Sequence, residues 1–589
     1  MGIKSVLKQW GQSKERTGAF GLPRCVFVLL VTVLIAVLPA WSGKAGAQGF
    51  TPDAGSLLNQ IERSLPPPKL PSVGPPPGSP KIELLQGQGE TLLVKQFIFS
   101  GNTAVRSDVL ATLVEPYLNR PLTFNELQNA AAALALVYRE KGYIAAATIP
   151  KQVVKGGIVR FHIVESRFTG AVMDGGSDTR TRLDLLLNRI EQALPPGRLV
   201  NVYDLDRGLL LIEDLPGVSV SGGLREGRTD GESEFVLLAR DKQVFKGNVS
   251  FDNGSSRSTG SKRLNADVSA ESPTGNGELL SVNAMHTEGT DYGRFSLTVP
   301  VSASGTKFTA SASAMTYQLV APEFKAAHIE GTSGTVGLEL NHPLLRTRSF
   351  NLYATLGYDG RSFDNLGNHI TTSQYRTDAV SAGLTANHFD QLGGGGVNTA
   401  SMSYSLGRVD LDGSPNKASD AAAAHTQGRF SKFKASASRS QTVTEGLTLF
   451  ANVTGQYAFN NLDSSEKLFL GGSSGVRAYP SSEGGGSSGI TATVEARQQL
   501  PYGFEAVAFI DTGLVQQNTD NHYSGAPVKN VLYYKGLGLS LIWRGDYNST
   551  IKLTWAHRIG SNPLPKPDGH DQDGTKQLDR VWLSAGVGF

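Results

Sequence analysis

The last three-fifths of the chain, residues 243–589, repeats one pattern that limits what it can fold into. Segments of about ten residues alternate apolar with small or polar side chains, and turns rich in Gly, Asn, Asp and Ser separate them. Side chains of a β-strand point alternately to its two sides, so each segment is a strand with one apolar face. The last segment is the clearest, and its apolar face carries Val581, Leu583, Ala585, Val587 and Phe589.

About sixteen such segments follow one another, and bacterial transmembrane β-barrels have an even number of strands. A barrel in lipid needs an apolar, aromatic-tipped outer face and a polar lumen, which is the division seen here. The 68 glycines and 39% hydrophobic residues are a poor composition for a large soluble helical or α/β core. A soluble jelly roll or β-solenoid is the alternative, but it gives no reason for a Trp-tipped apolar face.

The N-terminus, residues 1–47, has the features of a secretory signal peptide. Basic residues precede an apolar run from Cys25 to Pro39, and Ala45-Gly46-Ala47 is a cleavage pattern. A membrane anchor is the alternative, but the run is shorter than the roughly 20 residues of a spanning helix. We therefore expect a mature chain that begins at residue 48 and works outside the cytoplasm.

Removal of residues 1–47 changes what the mature chain can do. It takes away Cys25, the only cysteine, so neither a disulfide nor a cysteine metal site is expected. It also takes six of the 55 Lys and Arg and one of the 52 Asp and Glu, which turns a net charge of +3 into −2 (49 against 51). This balance gives no reason to expect nucleic-acid binding.

Residues 48–65 hold a short amphipathic helix, and residues 66–90 form a stiff, proline-rich linker. The apolar side of the helix carries Leu57, Leu58, Ile61 and Leu65. A helix of this length is marginal alone in water. It either docks on another part of the chain or is disordered, and the sequence leaves both open.

Two small α+β units follow, over residues 91–166 and 167–242, each with the order β-α-α-β-β. The longest helix of the first begins at a capping box, in which Thr123 and Glu126 each satisfy an amide of the first turn. The predicted fold class is mainly β: a 16-stranded antiparallel transmembrane barrel at 243–589, preceded by two α+β units.

Signatures of catalysis are weak. Two literal matches to enzyme motifs lie in one Gly/Ser-rich loop: G-x-G-x-x-G at Gly484, Gly486 and Gly489, and G-x-S-x-G at Gly471, Ser473 and Gly475. A phosphate site and a nucleophile elbow both need a helix after the turn, and none is predicted here. We expect no enzyme activity, no cofactor and no metal.

One pair of charges is more informative. Arg477 lies in the long connection between two predicted strands, and Asp511 lies on a strand just beyond. If the loop folds back into the barrel, the two can form a bidentate bridge, which in a wet lumen is worth only about 1 kcal/mol or less. A solvated surface arginine and an unrelated carboxylate is the alternative, and the spacing alone leaves it open.

The surroundings of this pair carry a family resemblance. Val476-Arg477-Ala478-Tyr479, after Gly475, resembles the V-R-G-Y/F loop tip of the two-partner secretion outer-membrane translocators. Phe509-Ile510-Asp511-Thr512-Gly513 resembles the F-x-D-x-G strand motif of the same family. Ala478 departs from the usual glycine, which puts the backbone turn at the tip in question. The order of parts over the whole mature chain also resembles that family.

The resemblance implies a function. The two α+β units would be periplasmic POTRA domains that capture an unfolded exoprotein, through its N-terminal secretion domain, by adding its strands to their sheet edges. The barrel would export it across the outer membrane. The helix at 48–65 would plug the lumen at rest, Arg477 would hold the loop against Asp511, and Phe589 would be read by the barrel assembly machinery.

Other functions stay open at this stage. An outer-membrane protein assembly factor would usually have more POTRA units and no proline linker. A passive porin needs no POTRA units. A hydrolase needs a Ser/His/acid arrangement that these residues do not supply. The identity of the exported partner is not encoded in any motif recognised here.

Overall fold

The computed structural model describes residues 51–65, 70–75 and 89–589. The predicted signal peptide, the start of the mature chain and most of the predicted linker lie outside these residues. Among the residues described, no helix is long and apolar enough to cross a membrane.

The C-terminal region forms one closed barrel of sixteen antiparallel strands, as predicted. Each strand pairs with its neighbours in sequence, and the last pairs with the first to close the cylinder. The strands are β9 (Phe245–Asp252), β10 (Arg263–Glu271), β11 (Leu279–Thr287), β12 (Thr290–Pro300), β13 (Lys307–Gln318), β14 (Glu330–Arg346), β15 (Phe350–Gly367), β16 (Ile370–Asp390), β17 (Gly396–Asp410), β18 (Gly428–Thr444), β19 (Leu447–Ala458), β22 (Ser488–Gln499), β23 (Phe504–Gln516), β24 (Val531–Arg544), β25 (Thr550–Arg558) and β26 (Asp579–Gly588).

The alternation of the sequence becomes the two faces of the barrel wall. Leu539, Leu541 and Leu583 are exposed on the outer face, where they meet lipid. Their neighbours Ser540 and Thr554 point inward, are buried, and share a hydrogen bond of 2.8 Å between hydroxyls. The apolar band therefore faces out and the polar residues face the lumen.

The first α+β unit has its own core beneath a three-stranded sheet in the order β2-β5-β4. The capping box is present: Thr123 accepts from the Glu126 amide, and the Glu126 carboxylate accepts from the Thr123 amide. A short 3-10 helix lies at Glu115–Tyr117. The elements are β1 (Thr91–Val94), β2 (Gln96–Ser100), α2 (Ser107–Val114), β3 (Arg120–Thr123), α3 (Phe124–Glu140), β4 (Ala145–Thr148) and β5 (Ile158–Glu165).

The second α+β unit repeats the order, with a sheet in the order β6-β8-β7. It is joined to the first by main-chain hydrogen bonds, including Val202 N–H to the Gly142 carbonyl at 2.8 Å. An isolated bridge between Tyr143 and Asn201 lies beside it. Its elements are β6 (Arg167–Met173), α4 (Leu183–Ala193), α5 (Val202–Glu213), β7 (Val218–Glu226) and β8 (Glu232–Asp241).

The N-terminal helix α1 (Ala54–Ser64) lies inside the barrel. Asp53 caps it in a box with Ser56, and Leu65 follows as its C-cap residue, packed at the margin of the same cluster. Leu57, Leu58 and Ile61 pack with aromatic and methionine side chains of the inner wall. Because the barrel supplies the apolar surface that a short helix lacks in water, the docked alternative holds. The remaining elements are a hairpin in a long loop, β20 (Leu468–Phe469) with β21 (Gly485–Gly486), and a short extracellular helix α6 (Lys417–Ala421).

Candidate functional site

The connection between β19 and β22, residues 459–487, folds back into the barrel, and we name it the inward loop. Its hairpin β20-β21 and its tip pack on the inner faces of β23, β24 and β25. Val476, Ala478 and Tyr479 are all buried there. The loop therefore fills part of the lumen instead of standing in the extracellular solvent.

Arg477 joins this loop to the barrel wall. Its Nε and a terminal nitrogen donate to the two oxygens of Asp511 at 2.8 and 2.7 Å, which is the bidentate geometry of an Arg–carboxylate pair. The Arg477 amide also donates to Asp511, at 3.1 Å. The other terminal nitrogen donates to Glu495 at 2.8 Å. One arginine is thus held by carboxylates on two adjacent strands.

Aromatic groups complete the surroundings of Arg477. Its guanidinium lies 3.4 Å from the centre of the Phe509 ring, a cation–π contact. Trp582 of β26 donates its indole N–H to the Arg477 carbonyl at 2.8 Å. Side chain and main chain of this residue are both fixed, so the loop tip has one orientation.

The ion pair between Arg477 and Asp511 is buried, so the expectation of a solvent-exposed pair in a water-filled lumen is wrong. The side chains of Arg477 and Asp511 are 6% and 1% exposed. The loop itself covers them, which a sequence cannot reveal. Removing one partner of a buried pair leaves an uncompensated charge and costs about 3–5 kcal/mol, several times the value for a surface bridge. The alternative of a solvated arginine unrelated to Asp511 is excluded.

The F-x-D-x-G motif follows from strand geometry. Phe509, Asp511 and Gly513 are two residues apart and all face the lumen, whereas Ile510 is exposed on the lipid side with Thr512. A side chain at Gly513 would begin 2.9 Å from Leu470 of the inward loop. The three inward positions therefore provide an aromatic ring beside the Arg477 guanidinium, a carboxylate that accepts its hydrogen bonds, and space for the Leu470 side chain.

Ala478 occupies the position where the family usually has glycine. It does not adopt a left-handed backbone conformation, so the tip does not require glycine. The methyl group of Ala478 points at Gly536 of β24, where an added Cβ would lie only 2.6 Å away. The absence of a side chain at Gly536 gives Ala478 its space.

The remaining tip residues anchor the loop at its sides. Gly475 donates its N–H to the Gly472 carbonyl at 3.0 Å and begins the tip. The Tyr479 ring meets Tyr534 edge-on at 4.8 Å, and the Arg558 guanidinium lies 4.5 Å from its centre. Arg558 in turn holds Asp571 of the β25–β26 loop in a buried bidentate pair.

Helix α1 contacts the inward loop directly as well as the wall. Asn59 and Arg63 donate to the carbonyls of Lys467 and Phe469 at 2.8 and 2.7 Å. The Ser464 hydroxyl donates to Asp53 at 2.8 Å. The helix therefore rests on the same loop that Arg477 holds.

A chain of charges, two buried and two partly exposed, connects the helix to the barrel wall. Glu62 of α1 pairs with Arg361 of β15 at 3.4 Å, and Arg361 pairs with Glu466 of the inward loop at 2.6 Å. Glu466 also pairs with Lys432 of β18. Alternating signs let all four charged groups share this largely enclosed site, since each carboxylate has a cationic neighbour.

The G-x-S-x-G match lies within the inward loop, and the G-x-G-x-x-G match runs from the end of that loop into the start of β22. The strand β22, not a helix, follows them, so neither has the context of its motif. In the part of the chain that the structure describes, no cluster of His, Cys, Asp and Glu has a metal-binding arrangement.

Sequence reasoning missed several groups of this site. Glu495 and Thr493 face the lumen from β22, and Thr493 donates to Asp511 at 3.0 Å. Glu483 of the inward loop accepts from Asn562 at 2.8 Å, which ties two loops together. The alternation of β22 marks Thr493 and Glu495 as inward, but only the strand register, with Thr493 opposite Asp511, brings them to the site.

Comparison with known proteins gives the family. Residues 231–540, more than half of the chain, match the family described as haemolysin secretion/activation protein ShlB/FhaC/HecB. Residues 92–166, the first α+β unit, match the POTRA domain of ShlB type.

Individual relatives agree. The heme/hemopexin transporter protein HuxB of Haemophilus influenzae is 25% identical over 90% of this chain and 94% of its own length. The outer membrane transporter CdiB of Dickeya dadantii is 25% identical over 67% of this chain and 70% of its own.

Two solved structures have the same fold. CdiB from Escherichia coli has a TM-score of 0.67 at 22% identity, covering 87% of this chain and 93% of that one. CdiB from Acinetobacter baumannii has a TM-score of 0.61 at 17% identity, covering 90% and 96%. This chain belongs to the haemolysin secretion/activation family and is an outer-membrane translocator of two-partner secretion.

Proposed function

We propose that the chain exports one large partner polypeptide through its barrel, and that the inward loop and helix α1 close the lumen at rest. The observation that carries this proposal is the position of both elements inside a closed sixteen-stranded barrel. A lumen filled in this way blocks leakage of small solutes. During export α1 must leave the lumen. The inward loop, which the Arg477–Asp511 ion pair holds and which we call locked by it, must either stay in place or shift.

Capture of the partner takes place at the sheet edges of the two α+β units. Strand β7 forms one edge of the second sheet and β4 forms one edge of the first. Edge strands present main-chain N–H and C=O groups, so an extended chain can pair with them whatever its side chains. The partner is a secreted exoprotein with an N-terminal secretion domain that is still unfolded in the periplasm.

Insertion of the barrel relies on its last strand and on lipid contact. The main chain of Phe589 pairs with Gly247 of β9 in both directions, at 2.9 and 3.0 Å. An added Cβ at Gly247 would overlap the Phe589 ring, so the ring lies across this glycine and is mostly exposed to the outside. We propose that this accessible aromatic end is what the barrel assembly machinery reads, and that outer-membrane lipid surrounds the exposed apolar band.

The proposed export can be tested with a candidate partner encoded beside this gene. The gene of a large secreted protein beside this one would be co-expressed with the full chain in a host that lacks both. The partner should appear in the medium only when the translocator is present. Retention in the periplasm despite an inserted barrel would count against export. A general decline of outer-membrane barrels on depletion would instead point to an assembly factor.

A further inference from the structure

Three arginines lie together on the outer face of the barrel, at the extracellular ends of adjacent strands. Arg376 of β16, Arg408 of β17 and Arg429 of β18 are all exposed. The residue that follows each of them is buried and faces the lumen, which fixes their outward direction: Thr377, Val409 and Phe430. We call the three arginines the arginine patch.

The strand register brings the patch into one place. Arg408 lies directly opposite Arg429 across β17 and β18. Arg408 also lies opposite Asp378, and Arg376 stands two residues before Asp378 on the same face, which makes it the diagonal neighbour of Arg408. Diagonal neighbours in a sheet are about 7–8 Å apart, and like charges directly opposite each other are destabilising. The patch therefore needs a counter-charge.

The protein supplies little of this counter-charge through direct contact. Within the part of the chain that the structure describes, no guanidinium of the patch makes a hydrogen bond or an ion pair. The carboxylates nearby have other partners. Asp378 accepts from the Tyr358 hydroxyl at 2.7 Å, Asp410 accepts from the Asp412 amide at 3.0 Å, and Asp412 pairs with Lys417 at 2.6 Å. The donors of the patch are thus left to a group outside the protein.

The patch lies at the extracellular boundary of the apolar band. On the outer face of β17, the polar residues Asn398 and Arg408 are ten positions apart, and the outward positions between them are apolar: Ala400, Met402, Tyr404 and Leu406. About 9–11 residues of a tilted strand cross the apolar core of a bilayer. Tyr404 meets Phe459 edge-on at 6.2 Å, as in the aromatic girdle of a membrane interface. Arg408 therefore reaches the level of the lipid head groups.

The other outward cations of the barrel strands are arranged differently. Arg439, near the periplasmic end of β18, is paired with Asp390 at 2.6 Å and donates to Asn398 at 2.7 Å. Lys535 of β24 lies opposite Thr512 and has no second cation beside it on the outer face of these described strands. A cluster of arginines without partners is therefore particular to the extracellular ends of β16 to β18.

We propose that the arginine patch binds the phosphate of a phosphorylated glycolipid in the outer leaflet, with the acyl chains lying along the apolar band below. A phosphate carries a charge of about −1.5 to −2 and three acceptor oxygens, so one group can neutralise the opposed Arg408 and Arg429. Guanidinium groups bind phosphate oxygens in pairs, which a single lysine cannot do. A lipid is the occupant that the position favours, because the bilayer holds its phosphate at the height of the patch.

The test uses the full-length chain in detergent micelles and native mass spectrometry. The probes are bisphosphorylated lipid A, the same glycolipid after enzymatic removal of its phosphates, and inorganic phosphate. The wild-type chain should retain the phosphorylated glycolipid, and it should bind the phosphate-free form at least about tenfold more weakly. The double variant Arg408→Gln with Arg429→Gln should lose affinity for the phosphorylated form by a similar factor, because it removes the charge-assisted hydrogen bonds.

Two further variants serve as controls. Lys535→Gln removes an outward cation away from the patch and should leave retention unchanged. Arg408→Lys with Arg429→Lys keeps the charge but loses the paired donors, so its affinity should lie between those of the wild type and the Gln variant.

Unchanged retention in the Gln variant would overturn the proposal, as would equal retention of the phosphate-free glycolipid, which would assign binding to acyl chains alone. Displacement of the glycolipid by an equal concentration of inorganic phosphate would mean a site for free anions and would also overturn it. If the Gln variant loses its heat-modifiable barrel mobility, the comparison of the two glycolipids on the unmodified chain decides.

Discussion

Asp214, at the end of α5, accepts two hydrogen bonds of 2.9 Å from the guanidinium of Arg346 at the end of β14. Their side chains are 11% and 3% exposed, so the pair is desolvated. Lys307 of β13 also donates to the Asp214 carbonyl, at 2.6 Å. The pair is one of several contacts that join the second α+β unit to the periplasmic rim of the barrel, beside the hydrogen bond from Arg207 to the Pro343 carbonyl. We therefore expect the pair to influence where the proposed capture edges lie relative to the lumen.

Loss of this pair should free the second unit. Asp214→Asn leaves Arg346 buried without its counter-charge, at a cost of about 3–5 kcal/mol to the contact. Spin labels on the unit and on the rim should then report a broadened distance distribution. Asp206→Asn is the matched control, because its partner Arg348 is half-exposed and such a pair is worth about 1 kcal/mol or less. Equal broadening in both variants would assign the anchoring to apolar packing instead.

The loop lock should be essential to export. Arg477→Ala leaves Asp511 and Glu495 buried without their shared cation, and we expect secretion of the partner to stop while the barrel stays inserted. Export is measured in the medium, and insertion by heat-modifiable mobility. Arg497→Ala removes a half-exposed arginine from the same Glu495 and should keep most activity. Secretion at the wild-type rate from Arg477→Ala would refute the role of the lock.

The contact between Ala478 and Gly536 should show compensation. Gly536→Ala places two methyl groups in one space, and overpacking of this kind costs about 1–3 kcal/mol. The loop tip should be displaced and secretion should fall. Adding Ala478→Gly should restore function, because it returns the space to the wall. No recovery in the double variant would mean that the His557 carbonyl, 3.2 Å from the added Cβ, is the limiting contact.

Removal of the N-terminal helix should open the lumen. Deletion of residues 48–65 is expected to raise single-channel conductance in planar bilayers, since α1 fills space among wall residues. The point variant Leu58→Asp should act in the same direction. It forfeits the burial of a leucine, about 1.5–3 kcal/mol, and introduces an unpaired carboxylate. Leu65→Asp, at the margin of the cluster, is the control, and unchanged conductance in the deletion would refute the plug.

The first α+β unit should lose stability in acid through Glu165. Burial raises the pKa of Glu165, but hydrogen bonds from Thr103, from the Ala104 amide and from the Tyr138 hydroxyl outweigh it and hold the pKa below its ordinary value. A lowered folded-state pKa stabilises the fold above the ordinary glutamate pKa of about 4.3, and this contribution disappears as the pH falls through the lowered value.

Glu165→Gln tests this directly. The variant should destabilise the unit at pH 7 by about 1 kcal/mol, because the carboxylate is partly exposed. The difference from the wild type should shrink as the pH falls from the ordinary glutamate pKa of about 4.3 through the lowered pKa of the folded carboxylate. Thermal unfolding followed by circular dichroism at both pH values measures it. A difference independent of pH would assign the effect to packing.

The barrel could be predicted from sequence because its information is local. Val581 and Leu583 are apolar, and Ser584, next to Leu583, is polar. This alternation shows which face of the strand points outward without reference to any other strand. About sixteen alternating segments predicted the number of strands, which the structure confirms. The capping box of Thr123 and Glu126 is equally local, since its partners are three residues apart.

Only part of the candidate site could be predicted from the sequence. Arg477 and Asp511 could be paired by a family resemblance, but not their burial, because the inward loop that covers them is itself placed by contacts across the barrel. No sequence signal identified the contacts of Glu495, Trp582 and Arg346, although alternation marks Glu495 as inward. Each acquires its role from a partner on another strand, helix or loop, 18 to 132 residues away.

By itself, the sequence determined the elements of this protein and the direction in which their side chains point, because alternation and caps act between near neighbours. Only the tertiary structure decided which inward surfaces are covered, which ion pairs are dry and where α1 rests. Those properties arise when a closed cylinder brings distant segments into one enclosed volume, where desolvation turns an ordinary charge pair into a constraint.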